Sequence, residues 1–400
     1  MGNIISGGIT AVPCIKAAAV SCGIKGDKKD LAVVYSEVPL VSAAVFTTNL
    51  VKAAPVLVSQ RNIKEKVTRA VVVNSGNANA CSGLRGLKDA ERMAALTAEY
   101  LKLCPGEILV SSTGVIGQFL PMEKVEKGIK MAVENLTEEG GSDSAEAILT
   151  TDTVKKEIAY RFMLAGKTVT LGAMAKGSGM ICPNMATMLA FITTDVKISK
   201  ELLQKALQES VKCSYNLITV DGDTSTNDMV LLLANGQAEN PEITEEGEDY
   251  QAFLEALNYV NKAMARQIIL DGEGTTKLIE VTLQGFKDYD TGRKLVMGIL
   301  NSNLVKTAFF GEDANWGRII TAMGYSSSNF CPEKVDIFLG DLQVMKEGVG
   351  LIFDEASAKE ILSHKEVKVF IDLKEGKDKI TAWGSDLSHQ YVTINSSYRT

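Results

Sequence analysis

Apolar positions along this chain follow two rhythms. In the first half, β-branched runs punctuated by glycine predict strands at 31–35, 43–47, 56–58, 70–73 and 107–110. Between the last two, Met93, Leu96, Tyr100 and Leu103 recur at intervals of three and four, which predicts a helix ending at Pro105-Gly106. Residues 123–136 predict a second helix, and the acidic stretch 137–141 a loop. In the second half, 188–193 reads as a short apolar strand. Leu203, Ala206 and Leu207 mark the inner face of one helix; Tyr250, Phe253, Leu254, Leu257, Val260 and Met264 mark a longer one. The segment 237–249 between them is rich in glutamate and reads as a linker. Beyond it, strands at 278–283, 335–339, 367–373 and 391–394 alternate with helices near 292–308 and 316–323. No repeat or low-complexity tract appears.

Helices and strands are thus mixed, but without strict βαβ alternation. This favours a layered α/β sandwich over a doubly wound parallel sheet. A chain of 400 residues can build more than one core. The expected division is a sandwich domain over 1–238 and a smaller C-terminal α/β domain over 250–400, with the linker between. A net charge of −7 argues against a nucleic-acid partner and against an electrostatic membrane anchor. No apolar run approaches the length of a membrane span, and no secretory pattern opens the chain. The seven cysteines are dispersed, with no C-x-x-C pair, which suits neither a disulfide framework nor a zinc site and points to a reducing cytoplasm.

The usual catalytic devices are missing. There is no G-x-S-x-G elbow, no phosphate-binding G-x-x-x-x-G-K-[ST] and no H-E-x-x-H. The two histidines, His364 and His389, read as surface or structural residues, and Cys182 as a packed thiol without a base beside it. Attention falls instead on 176–195, where a glycine-rich, proline-containing loop runs directly into an apolar strand. Thr187 sits at the junction. By pattern alone, a threonine opening a strand is an ordinary β-former.

The segment K-G-S-G-M-I-C-P-N-M-A-T-M-L, residues 176–189, resembles the self-cleavage segment of the ornithine acetyltransferase (glutamate N-acetyltransferase) family. Further blocks resemble the same family at 7–13 (G-G-I-T-A-V-P), 74–81 (N-S-G-N-A-N-A-C), 111–117 (S-S-T-G-V-I-G), 150–153 (T-T-D-T), 219–228 (T-V-D-G-D-T-S-T-N-D), 271–277 (D-G-E-G-T-T-K), 313–318 (D-A-N-W-G-R) and 395–398 (N-S-S-Y). The resemblance covers nearly the whole chain. It departs at Cys14-Ile15, at Leu217 and at Met229, none of which touches the nucleophile block.

The resemblance implies an N-terminal-nucleophile acyltransferase that cuts itself between Ala186 and Thr187, leaving chains 1–186 and 187–400. Thr187 becomes the nucleophile. A threonine hydroxyl needs an adjacent base. An α-amine, such as the cut would free, ordinarily has a pKa near 7.7–8.0, so nucleophile and base would share one residue and no histidine is required. Thr113 and Gly114 are implied as the oxyanion hole, and Thr150, Lys176, Thr187, Glu273, Asn395 and the C-terminal Thr400 as substrate-binding residues. Lys176 would pair with a substrate carboxylate and Glu273 with the side-chain ammonium of ornithine. The implied reaction moves an acetyl group from N-acetylornithine to glutamate in arginine biosynthesis. It calls for no metal or organic cofactor; acetyl-CoA is a second donor in some members. The implied assembly is a heterotetramer of two cleaved αβ pairs. Two rivals stand beside this reading: a related aminopeptidase or amidase with water as acceptor, and a non-enzymatic binding protein with a dead site.

Overall fold

The strand Leu31–Phe46 organises the molecule because it is too long for a single sheet. Residues 31–36 pair with Ile15–Val20 on one side and residues 31–35 with the strand Thr68–Asn77 on the other, whereas residues 41–46 pair with Met229–Ala234. The register slips between Tyr35 and Leu40, around Pro39, which has no N–H to offer a ladder. At this break the chain passes from one half-sheet into another. The computed structural model describes residues 2–65, 67–182, 188–326 and 328–397.

The first half-sheet consists of Ile15–Val20, the start of Leu31–Phe46, Thr68–Asn77 and Ile108–Val115. The second runs in the order Asn3–Ile5, Lys156–Leu164, Lys167–Lys176, Leu189–Thr194, Met229–Ala234 and the end of Leu31–Phe46. Alternate side chains of the two halves meet face to face: Val34, Val71, Val73 and Leu109 against Met174, Phe191, Leu231 and Leu233. The intervening residues point outward under helices. Val33, Val72 and Val110 lie beneath Gly83–Leu101 and Met122–Glu134. Ala190, Ile192, Val230 and Leu232 lie beneath Lys200–Lys212 and Glu248–Leu270. The result is a helix–sheet–sheet–helix sandwich, the layered α/β arrangement expected from the sequence. Leu189–Thr194 and Met229–Ala234 pair in parallel and are buried at every position, as a strand covered on both faces must be.

A second sheet runs Val349–Gly350, Leu342–Lys346, Asp336–Leu339, Glu366–Asp372, Leu278–Phe286, Asp378–Ser385 and Ile218–Thr219. Its inner face carries Ile279, Val281, Val369, Ile371 and Ala382, packed in one continuous core with the outer helices of the sandwich. The acidic segment after residue 237 is pinned by buried Ile243, which bridges to Ile198. Among the described residues no helix is long and apolar enough to cross a membrane.

Two expected strands are helices. Residues 56–58 lie in Ala54–Glu65, where Val56, Ser59, Asn62 and Ile63 are buried while Leu57, Arg61 and Lys64 face solvent. Ser59 Oγ and Asn62 Nδ2 bond to the backbone of Ile108–Val115, so docking on that strand overrides the β preference of the valines. Residues 391–394 lie in His389–Ser397. The hydroxyl of Ser388 accepts the N–H of Tyr391, an N-cap that the apolar alternation concealed.

Phe191 is fully buried between the half-sheets. Phe191→Ala should lower the unfolding free energy by about 3–5 kcal/mol, read as a lower urea midpoint at unchanged slope.

Candidate active site

A buried ammonium gathers the backbone of the site. Lys156 opens the strand Lys156–Leu164 and is completely enclosed; its Nζ lies 2.7 Å from Asp152 Oδ1 and 2.6 Å from Asp271 Oδ2. Asp152 also accepts the N–H of Gly177 at 2.7 Å and that of Thr150 at 3.1 Å. The Ser178 hydroxyl donates to the Asp271 carbonyl at 2.7 Å, and the Ser178 carbonyl accepts the N–H of Glu273 at 3.0 Å. One cation and two carboxylates thereby fix the Gly177-Ser178-Gly179 loop, the Thr150 loop and the turn after the long helix. Burial pushes the Asp152 carboxyl up, but Lys176 and Lys156 outweigh it and bring it down to about 2.

Thr113 and Gly114 end the strand Ile108–Val115, beside Ser75 and Gly76 of the parallel strand. The ladder slips here, where Asn77 faces both Thr113 and Val115. Gly114 has φ +128°, and a Cβ on it would meet the Gly76 carbonyl carbon at 2.4 Å. No other residue fits, so this wall of the site is backbone. Asn227 braces it by donating to the carbonyls of Ala78 and Ser112 at 2.6 and 2.8 Å.

The opposite wall carries Glu273. Its carboxylate accepts from Asn395 Nδ2 at 2.8 Å and lies so close to Gly179 that a Cβ there would meet Oε2 at 2.4 Å. Gly274 brings the C-terminal helix onto this turn, since a Cβ on it would meet Tyr391 N at 2.3 Å. The Tyr391 hydroxyl in turn donates to Asp221, whose carboxylate takes the N–H groups of Met180 and Ile181 at 2.7 and 2.9 Å.

These walls enclose a cleft of about 140 Å³. It brings together Thr113, Gly114, Thr150, Lys176, Glu273 and Asn395, all six predicted site residues within the described part of the chain. Ala186, Thr187 and Thr400 lie outside the described residues. Met188 lines the cleft, and its carbonyl accepts from Met229 at the head of the parallel strand pair. Both histidines are exposed, and Cys182 is half-buried with its thiol pushed up by burial. Lys176, the last residue of Lys167–Lys176, donates to Thr113 Oγ1 at 3.3 Å. Burial lowers the pKa of its ammonium, opposed by the attraction of Asp152, Asp228 and Glu273. Asp228 is driven well above the ordinary carboxyl range by burial, with Lys176 pulling the other way.

Sequence reasoning assigned no role to Asp152, Lys156, Asp271, Asp221, Asp228, Tyr391 or Lys25. The aspartates stand in the blocks at 150–153, 219–228 and 271–277, where acids flanked by glycine and threonine were the available signal. Lys156 carried none, because a lysine at the start of a strand reads as solvated.

Against known proteins, residues 16–400 match the ArgJ family. The chain is 53% identical over 399 residues to the arginine biosynthesis bifunctional protein ArgJ of Symbiobacterium thermophilum, with 99% of each chain covered. It is 51% identical over 402 residues to the protein of the same name from Caldanaerobacter subterraneus, with 100% of each covered. Among solved structures it is similar to the arginine biosynthesis bifunctional protein argJ from Bacillus halodurans, at 44% identity and a TM-score of 0.52; the match covers 53% of this chain and 100% of that one.

The folded-state pKa of Asp152, about 2, lies below the ordinary 3.8, so its ionisation stabilises the fold above pH 3.8 and that contribution is lost as pH falls toward 2. Asp152→Asn should cost about 3–5 kcal/mol at neutral pH, because it leaves buried ammonium groups short of an anion. The gap between parent and variant should narrow from pH 4 to pH 2 in urea titrations. A constant gap would refute the assigned ionisation.

Proposed function

The chain belongs to the ArgJ family, and on that premise we propose that it transfers an acetyl group from N-acetylornithine to glutamate through an acetyl-Thr187 intermediate, after cutting itself between Ala186 and Thr187. The observation that carries the reading is the single cleft in which Thr113, Gly114, Thr150, Lys176, Glu273 and Asn395 converge beside Met188, the neighbour of Thr187. The family makes the chain an acyltransferase of arginine biosynthesis; the route through Thr187 is the proposal.

In the first half-reaction the Thr187 hydroxyl attacks the acetyl carbonyl of N-acetylornithine, and its proton passes to the Thr187 α-amine. Backbone at Gly114 and the Thr113 side chain receive the developing oxyanion. Collapse breaks the amide C–N bond, and ornithine leaves with the proton. Glutamate then attacks the ester through its own amine, takes the acetyl group as N-acetylglutamate and returns the proton to the Thr187 oxygen. Glu273, held by Asn395, is an anion suited to the ornithine ammonium, and Lys176 a cation suited to a carboxylate. No step needs a metal or an organic cofactor. Acetyl-CoA would enter as an alternative donor to the same threonine, and the relatives' names carry the word bifunctional.

The cut is supported by one proportion. The similar solved chain from Bacillus halodurans is matched in full by 53% of this one, and residues 187–400 are likewise about 53% of it. In this reading two cleaved pairs associate as a heterotetramer in the cytoplasm.

Purified protein should separate into chains of about 20 and 23 kDa, in proportion to the two segments of the 43.0 kDa whole, the heavier beginning at Thr187. Thr187→Ala should stay as one inactive chain, and active enzyme found uncut would sink the mechanism. Thr113→Ala should lower kcat by about 10²–10³.

With N-acetylornithine alone, ornithine should appear as a burst of about one per active site and then stall. Added glutamate should restart release, matched by N-acetylglutamate. Continued release without glutamate would make water the acceptor and the enzyme an amidase.

A further inference from the structure

We propose that Lys25 receives the side-chain carboxylate of the acceptor amino acid and is the residue that selects glutamate in the second half-reaction. The proposal rests on the acetyl-transfer reading above and adds a residue that neither the motifs nor that reading assigned.

The loop bearing Lys25 is built around a buried carboxylate. Asp30 accepts the backbone N–H groups of Cys22, Ile24 and Lys25 at 2.7, 2.6 and 2.9 Å, which fixes the backbone at Lys25. The side chain then crosses Gly76, where a Cβ would meet Lys25 Cγ at 2.8 Å. Gly76 is the residue in register with Gly114, so the lysine stem lies on the strand that backs the oxyanion hole. Its ammonium reaches the carbonyls of Leu149 at 2.7 Å and Ala147 at 3.4 Å, immediately before Thr150, and the residue lines the cleft.

Two observations indicate that this ammonium awaits an anion. An ammonium carries three donors, and two backbone carbonyls leave one to spare. Among the described residues no carboxylate forms an ion pair with it, although the neighbouring Lys29 is paired with both Asp143 and Glu146. Burial accordingly lowers its pKa to about 8, with Asp30 and Asp152 opposing and Lys28 and Lys176 reinforcing it. A half-buried cation without a counter-ion loses hydration that an incoming carboxylate would restore.

The charge logic of the two substrates supplies the occupant. Ornithine and glutamate share an amino-acid core and differ at the far end, ammonium against carboxylate. The Glu273 wall suits the ammonium and repels the carboxylate. Lys176 already has Asp152, Asp228 and Glu273 attracting it. Lys25 has two, Asp30 and Asp152, set against the repulsion of Lys28 and Lys176, and it is only half-buried where Lys176 is enclosed, so of the two cleft-lining lysines Lys25 has more room for an additional negative charge at the end of a side chain.

The test uses the mature, cleaved enzyme with N-acetylornithine as donor and compares kcat/KM for glutamate and for glutamine, its neutral isostere. The parent should prefer glutamate. In K25Q the glutamate-to-glutamine ratio should fall about tenfold or more, the worth of one charge-assisted hydrogen bond, and K25R should retain most of it. K25M, which keeps the aliphatic stem over Gly76, carries the same expectation should K25Q fail to mature. The ratio reports selection, so a general loss of activity does not move it. An unchanged ratio in K25Q or K25M overturns the assignment alone. Continued ornithine release by the parent without either acceptor overturns the acetyl-transfer reading, and this assignment with it.

Discussion

The buried ammonium of Lys156 is the constraint on which the site depends. An ion with no access to water persists only where its counter-charges are close and themselves hydrogen-bonded. Asp152 and Asp271 meet that condition, and in doing so each is tied to backbone that has nothing else in common: Gly177 and Thr150 through one, Thr153 and Val154 through the other. Replacing the trio with well-packed apolar residues could leave the fold as stable, but it would release the loops. The charge is therefore better understood as setting geometry than as supplying stability. It places Lys176 and Glu273, nearly a hundred residues apart in the sequence, on the walls of one cleft.

Where charge sets the walls, glycine sets their thickness. At Gly114, Gly179 and Gly274 the backbone approaches another group so closely that a single methyl would collide. Such walls present N–H and C=O groups rather than side chains, which suits a reaction whose transition state develops charge on an oxygen. The two lysines and the acids that reach between these walls are the groups that, in the proposed reaction, meet the ends of the substrate.

The fold was legible where burial enforces a simple period. The helix through Met93 and Leu96 and the long helix through Phe253 and Leu257 show the 3.6-residue spacing because each hides a single face. The strand at 70–73 shows a continuous apolar run because both its faces are covered. Legibility failed where a tertiary contact decided the conformation, as at Val56, held helical by Ser59 and Asn62 against a neighbouring strand, and at Tyr391, capped by Ser388. It failed again for charge. Nothing local distinguishes Lys156, enclosed, from Lys155 beside it, half-exposed, since the difference lies in Asp271, more than a hundred residues away. The six predicted site residues among the described ones came from blocks of resemblance, and their convergence on one cleft is something periodicity does not record.

The strands Lys167–Lys176 and Leu189–Thr194 are antiparallel neighbours at the heart of the second half-sheet, with Lys176 opposite Leu189, and Thr187 lies between them in the sequence. If the chain parts there, the hydrogen-bonded ladder becomes the seam between two polypeptides. Before the cut, that seam assembles at the effective concentration of a single chain; afterwards, it would have to assemble by collision. Each piece would then expose an unpaired strand, largely buried in the whole molecule, until it met the other. Maturation would be a one-way passage, in which the molecule uses its continuity to reach an architecture that its fragments, once unfolded, have lost the means to find.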